Sequence, residues 1–248
     1  MKQLIWATLL IVLVSCQKEN LTPNTGQTQT DAIHNLRTSK VPTGKISKSQ
    51  GTLLLDFDGF MDTSKQWGGS IVTVGESGIT NPIELDSIFN RVYKAFTQFN
   101  LIVTTDTTVY NQTAPGRRQR LVLTKDYQWF GSTYGGVSFQ GSFYWDDPAP
   151  DFVFTSLYNY YWPNIAEAAI HEFGHTLGLK HQSLWVNGVK VNEYRDSVYM
   201  GKSYNMPYGG HWATGLNSVG NYQDDVALIT QYLSNKTSGR TIPREKTH

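Results

Sequence analysis

The chain has 248 residues, more than a usual single domain and few for two, and its 21 Lys and Arg against 20 Asp and Glu leave a formal charge of +1. No run of basic residues forms an electrostatic footprint, which speaks against nucleic acid as a partner. Cys16 is the only cysteine, so no internal disulfide can form and stability must come from a packed core.

Residues 1–15 have one early lysine and then an apolar run ending at Ser15, too short to span a bilayer and suited to a signal peptide. Leu13-Val14-Ser15-Cys16 resembles a bacterial lipobox, in which the cysteine is acylated and becomes the mature N-terminus. The expected location is therefore outside the cytoplasm, at the outer membrane or cell surface, with a lipid anchor through Cys16. From Cys16 to residue 50 the chain is rich in Thr, Ser, Gln, Asn and Lys, with few large apolar groups, and reads as a flexible tether.

Order begins near residue 51. Leu53 to Phe57 is a short apolar run ended by Asp58-Gly59, a strand and a turn, and Ser70 to Val74 is a second candidate strand. In Pro82 to Phe99 the period changes: Ile83, Ile88, Val92, Ala95, Phe96 and Phe99 fall near one helical face, with Pro82 at the start. Leu101 to Thr105, Arg120 to Thr124, Val137 to Tyr144 and Phe152 to Thr155 have strand character. Ile165 to Leu179 and Asp224 to Leu233 read as helices, separated by a long Gly-, Asn- and Tyr-rich stretch of the kind that is usually functional or tied down. The pattern predicts an α+β domain over residues 51–235, a mixed sheet with a few helices, followed by a polar tail at 236–248.

The chemistry is concentrated in His171-Glu172-Phe173-Gly174-His175-Thr176-Leu177-Gly178-Leu179-Lys180-His181. Residues four apart on a helix share a face, about 5–6 Å between Cβ atoms, so His171 and His175 can hold one ion. Glu172 lies one step round, where it can act as general base and acid towards a metal-activated water. His181 reaches the metal only if the helix breaks, and Gly178 supplies the freedom to adopt positive φ. Three neutral nitrogens suit Zn²⁺ with an open position, which lowers the pKa of bound water towards ~7. The five fixed positions would arise by chance roughly once in 10⁵ chains of this composition.

The extended motif is the signature of the metzincin clan of zinc peptidases, and the chain resembles a bacterial secreted branch of that clan. Leu55-Asp56-Phe57-Asp58-Gly59, Gly135-Gly136-Val137-Ser138, Gly141-Ser142-Phe143, Phe152-Val153-Phe154, Ile165-Ala166-Glu167-Ala168 and Gln223-Asp224-Asp225 carry the likeness, in that order. The resemblance implies a twisted mixed sheet on an active-site helix and a small C-terminal subdomain with a methionine turn and a final helix. Met200, in Ser197-Val198-Tyr199-Met200-Gly201, is the preferred turn methionine; Met206-Pro207-Tyr208 is the alternative. Substrate is expected to lie along an edge strand, for which Phe152 to Thr155 is the candidate. Astacins and serralysins place a tyrosine two residues after that methionine, but here the position holds Lys202, leaving Tyr204 as candidate donor to the oxyanion.

The implied activity is a zinc-dependent endopeptidase acting on protein or peptide substrate, as a monomer. The alternative is a catalytically silent zinc-bearing lipoprotein that binds protein or glycan. Asp56 with Asp58, and Asp146, Asp147 and Asp151, offer acidic loops that suit either Ca²⁺ or plain turns. His211 beside Trp212 is an extra ligand or a structural histidine.

Overall fold

The computed structural model describes residues 50–146, 149–206, 209–234 and 246–247. The signal segment, Cys16 with its tether to residue 49, Asp147, Pro207 with Tyr208, and the tail apart from 246–247 lie outside the described residues. Among the described residues no helix is long and apolar enough to cross a membrane.

Strand β1 (Gly51–Asp56) leads through the hairpin β2 (Phe60–Asp62) and β3 (Val72–Val74) into helix α1 (Pro82–Phe96). β4 (Leu101–Thr104), α2 (Thr107–Gln112), β5 (Arg118–Thr124), β6 (Gly136–Phe139) and β7 (Asp151–Phe154) follow, and then the long helix α3 (Trp162–Thr176). Beyond it come the hairpins β8 (Leu184–Val186) with β9 (Val189–Asn192) and β10 (Thr214–Leu216) with β11 (Tyr222–Asp224). Helix α4 (Asp225–Ser234) and the short strand β12 (Lys246–Thr247) complete the described chain.

The main sheet runs in the order β12-β6-β7-β5-β1-β4. β4, β1, β5 and β7 are parallel, β6 is antiparallel to β7, and β12 is antiparallel to β6. The architecture is thus mixed α+β with a mostly parallel sheet. Side chains alternate across each strand, so one face of the sheet presents Leu53, Leu55, Leu121, Leu123 and Val153 to helices α1 and α3. The other face presents Val122, Val137, Phe152 and Phe154 to Trp67, Val72 and Val74, with Trp129 and Phe130 packed around them.

Helix α1 starts where its sequence says it should: the Asn81 side chain accepts the Ile83 N–H at 3.0 Å and Pro82 opens the first turn. It ends at Phe96, earlier than the apolar period suggested, with Thr97 as C-cap. Its face of Leu85, Ile88, Phe89, Val92, Ala95 and Phe96 is buried against α3. Phe96 sits edge-on to both Phe173 and Trp212, at centroid distances of 5.9 and 5.4 Å.

Two further expectations need correction, and one helix was not expected. Val137 to Tyr144 is not one strand: Gly141, at φ 73°, ends it and Ser142–Tyr144 turns as a 3₁₀ helix. Its N–H donates to the His175 carbonyl at 2.9 Å, which draws the turn onto helix α3. Phe152 to Thr155 is not an edge strand either, because β7 is paired on both sides by β5 and β6. Helix α2 was not foreseen in Thr-Thr-Val-Tyr-Asn-Gln, whose propensity is weak; the Asp106 carboxylate caps it by accepting the Thr108 N–H at 2.6 Å.

Phe96 is fully buried between α1 and α3. Replacing it by alanine should cost about 3–5 kcal/mol of stability, read as a lower urea midpoint with unchanged slope.

Candidate metal centre

Helix α3 is buried on all sides from Ile165 to Thr176, and His171, Glu172 and His175 all lie within that stretch. The helix stops at Thr176, and Gly178 adopts φ +95°, a conformation any other residue would enter with strain. Its N–H donates to the His175 carbonyl at 2.8 Å while the Leu179 N–H donates to that of Gly174 at 3.1 Å, so the chain reverses and returns His181 to the helix. The three histidines converge: their candidate ligand atoms all lie within 4.8 Å of one another, and their ring centroids are 4.6, 5.1 and 4.8 Å apart.

Each ring is oriented from behind. His171 Nδ1 lies 2.6 Å from the Tyr199 carbonyl and His175 Nδ1 lies 2.8 Å from the Leu179 carbonyl. A carbonyl can only accept, so both Nδ1 atoms carry protons and both Nε2 atoms present lone pairs. His181 turns Nδ1 towards the Glu193 carboxylate at 3.5 Å. His171 Nε2 and His175 Nε2 then face each other at 3.0 Å, a contact of two lone pairs that calls for a cation between them. A proton is a poor candidate. Burial above all, then the neighbouring histidine charges, lowers the His171 pKa from 6.5 to about 3 and holds that of His175 well below its ordinary value. Neutral, buried imidazoles with fixed tautomers are what a metal ion requires, and they suit Zn, Cu, Fe or Ni.

Glu172 is also buried, and its Oε2 accepts the Ser138 hydroxyl proton at 2.6 Å. Burial pushes its pKa up to about 8 against the opposing effect of that hydrogen bond. Gly136, two residues before Ser138 and on the same face of β6, has no room for a side chain: a Cβ there would lie 2.5 Å from Glu172 Oε1. Met200 is fully buried and lies against α3 at Gly174, where a Cβ would meet its sulfur at 2.4 Å. Met206 is only partly buried and its sulfur lies 3.5 Å from the Ser197 hydroxyl. Tyr199, whose carbonyl orients His171, and Met200, whose carbonyl accepts the Gln182 N–H at 2.6 Å, fasten this loop to both ends of the site.

A cavity of about 280 Å³ opens beside His171 and Glu172, walled by Tyr134, Tyr158, Tyr194 and Tyr204, with Gly136 and Lys202 at its border. Tyr204 lies in that wall. It shares a hydrogen bond with Tyr158, whose ring centroid is 5.6 Å away, and burial, with the Tyr158 charge next, raises its pKa well above the ordinary value. Tyr194 stands on the other side, its ring 4.8 Å from that of His181 and its N–H held by the Asn192 side chain at 3.1 Å. Sequence reasoning did not single out Tyr194, and took Ser138 only as part of a likeness. The alternation of Gly136 and Ser138 at a strand edge was the available signal for the latter.

The remaining candidates lie elsewhere. Asp56 pairs with Arg120, and its pKa is pushed up to about 7, chiefly by burial. Asp146 is exposed, whereas Asp151 is fully buried in β7, so these two acids do not share one loop environment. His211 lies outside the histidine cluster; its carbonyl accepts the Tyr199 N–H at 3.0 Å. Compared with known proteins, the chain matches no family model and no curated sequence.

The folded state holds His171 and His175 below the unfolded value of 6.5, so their contribution to stability is present above about pH 6.5 and is lost as the pH falls below it. Metal-free protein should therefore have a lower urea midpoint at about pH 5 than at about pH 7.5, and replacing His175 by phenylalanine should flatten that dependence.

Proposed function

We propose that the chain is a zinc-dependent endopeptidase of metzincin type. The observation that carries this reading is the buried Glu172 set beside three converging histidines and directly against β6. Zinc, when bound by His171, His175 and His181, would supply a Lewis acid that acidifies water and polarises a carbonyl. The order of motifs and the buried Met200 against Gly174 of α3 support the family reading, and the lipobox-like sequence at Cys16 supports a lipid-anchored, extracytoplasmic enzyme.

Within this reading each residue has a defined task. Peptide backbone adds to the outer edge of β6 by main-chain hydrogen bonds, which places a scissile bond beside Gly136 and Glu172. Ser138 fixes Oε2 of Glu172, leaving Oε1 on the Gly136 side to take the proton of the attacking water. The same carboxyl then delivers that proton to the departing amine. The pKa of about 8 belongs to a carboxyl buried without a cation nearby; positive charge beside it favours the ionised form, which is the base. Tyr194, against His181 and on the cavity wall, donates its phenol to the oxyanion of the tetrahedral species. Tyr204 shapes the wall, packed against and hydrogen-bonded with Tyr158. The tyrosine-rich cavity suits an apolar side chain of the substrate.

Metal analysis paired with digestion of a mixed peptide library tests the reading. One zinc per chain is expected in wild type and in Glu172→Ala, with cleavage lowered about 10²- to 10⁴-fold or more in the variant. Zinc in both with no cleavage would leave the silent binding protein; no zinc in either would overturn the site altogether. Tyr194→Phe should lower kcat about 10²-fold with little change in KM or zinc content. Tyr204→Phe should instead cost about 1 kcal/mol of stability and leave kcat within a few-fold. Equal effects of the two on kcat would remove the distinction drawn between them.

A further inference from the structure

The outer edge of β6 already carries a strand. β12 adds to it antiparallel, with Lys246 opposite Phe139 and Thr247 opposite Ser138. Ser138 is the residue whose hydroxyl orients Glu172, so the pairing reaches the part of β6 that lies against the candidate base. The direction matters as well. From Lys246 to Thr247 the chain runs from Phe139 towards Ser138, that is, towards Gly136 and the mouth of the tyrosine-walled cavity.

We propose that β12 (Lys246–Thr247) is an internal competitor for the strand-accepting edge of β6, paired where an extended peptide must pair. The consequence for catalysis rests on the peptidase reading; the docking of the segment does not. Two considerations set its strength. A ladder of two residue pairs is far too short to be stable alone. β12 belongs to the same chain as β6, however, and pairing within one chain raises its effective concentration to about the millimolar range. Weak pairing at high local concentration gives a strand that is mostly docked yet yields to a longer peptide, which can pair along the whole of β6 and fill the cavity. A purely structural sixth strand would behave differently, since its loss would destabilise the sheet without altering access.

The experiment compares full-length mature protein with a form ending at Ser234 and with Thr247→Pro, which removes a ladder N–H without shortening the chain. Hydrogen exchange at Ser138, and calorimetric binding of a synthetic peptide of residues 241–248, read docking without any need for catalysis. Faster exchange in both variants and binding of the peptide to the shortened form are the expected results. In peptide cleavage, both variants should show KM lowered about tenfold with kcat unchanged, and the added peptide should inhibit the shortened form competitively. Unchanged exchange together with no peptide binding would overturn the proposal. So would a lowered melting temperature with unchanged KM, the signature of a structural strand. If no form cleaves peptide, the peptidase reading fails, while exchange and calorimetry still decide whether the segment docks.

Discussion

Helix α3 is buried on every side from Ile165 to Thr176, and this single placement sets the terms for the rest of the molecule. An interior that is cheap for Ala166, Ala168, Ile170 and Phe173 is costly for the four ionisable groups on the same helix, and each has to be matched. Glu167 takes Arg91 from α1 and the Gly210 N–H. His171 takes the Tyr199 carbonyl, Glu172 the Ser138 hydroxyl, and His175 the Leu179 carbonyl. These partners come from α1, from β6 and from the chain after the helix, so the sheet, the first helix and the C-terminal region are all drawn to one rod. The neutral state of the histidines and the raised pKa of Glu172 are then effects of the same burial, not separate devices.

Close approach is the second constraint. Gly136 lets β6 lie against Glu172, and Gly174 lets Met200 lie against the helix between the two histidines. Neither position tolerates a Cβ without displacing a side chain that faces the site. The two glycines act from opposite directions, one from the sheet and one from the loop, and they fix how tightly α3 is clamped.

Much of this was legible in the sequence where local chemistry decides it. The histidine spacing, the break at Gly178 and the start of α1 at Asn81-Pro82 each follow from rules that operate within one or two turns. The parallel strands announced themselves as apolar runs because both faces are covered. What could not be read depends on pairing between distant segments. The interior place of Phe152–Phe154 between β5 and β6 is one such feature, since order in a sheet is a property of the whole set of strands. Tyr194 enters the cavity wall only because the β8–β9 hairpin and the turn around Met200 bring it there. The donor of Glu172, Ser138, lies 34 residues away in sequence.

The stretch after His181 is tied by buried amides, and the order of the chain gives that knot a temporal meaning. Gln182 reaches both the Ala213 carbonyl and Asp225, Gln223 holds Lys180 from both sides and also meets Asp225, and the Ser218 N–H donates to the His181 carbonyl. His171 and His175 leave the ribosome with their helix, but the third ligand has no fixed position until residues up to Asp225 have arrived. A half-made chain therefore has two histidines on a helix and no completed centre. Assembly of the three-histidine cluster is thus deferred until the segments that pin His181 have been made and folded onto the helix.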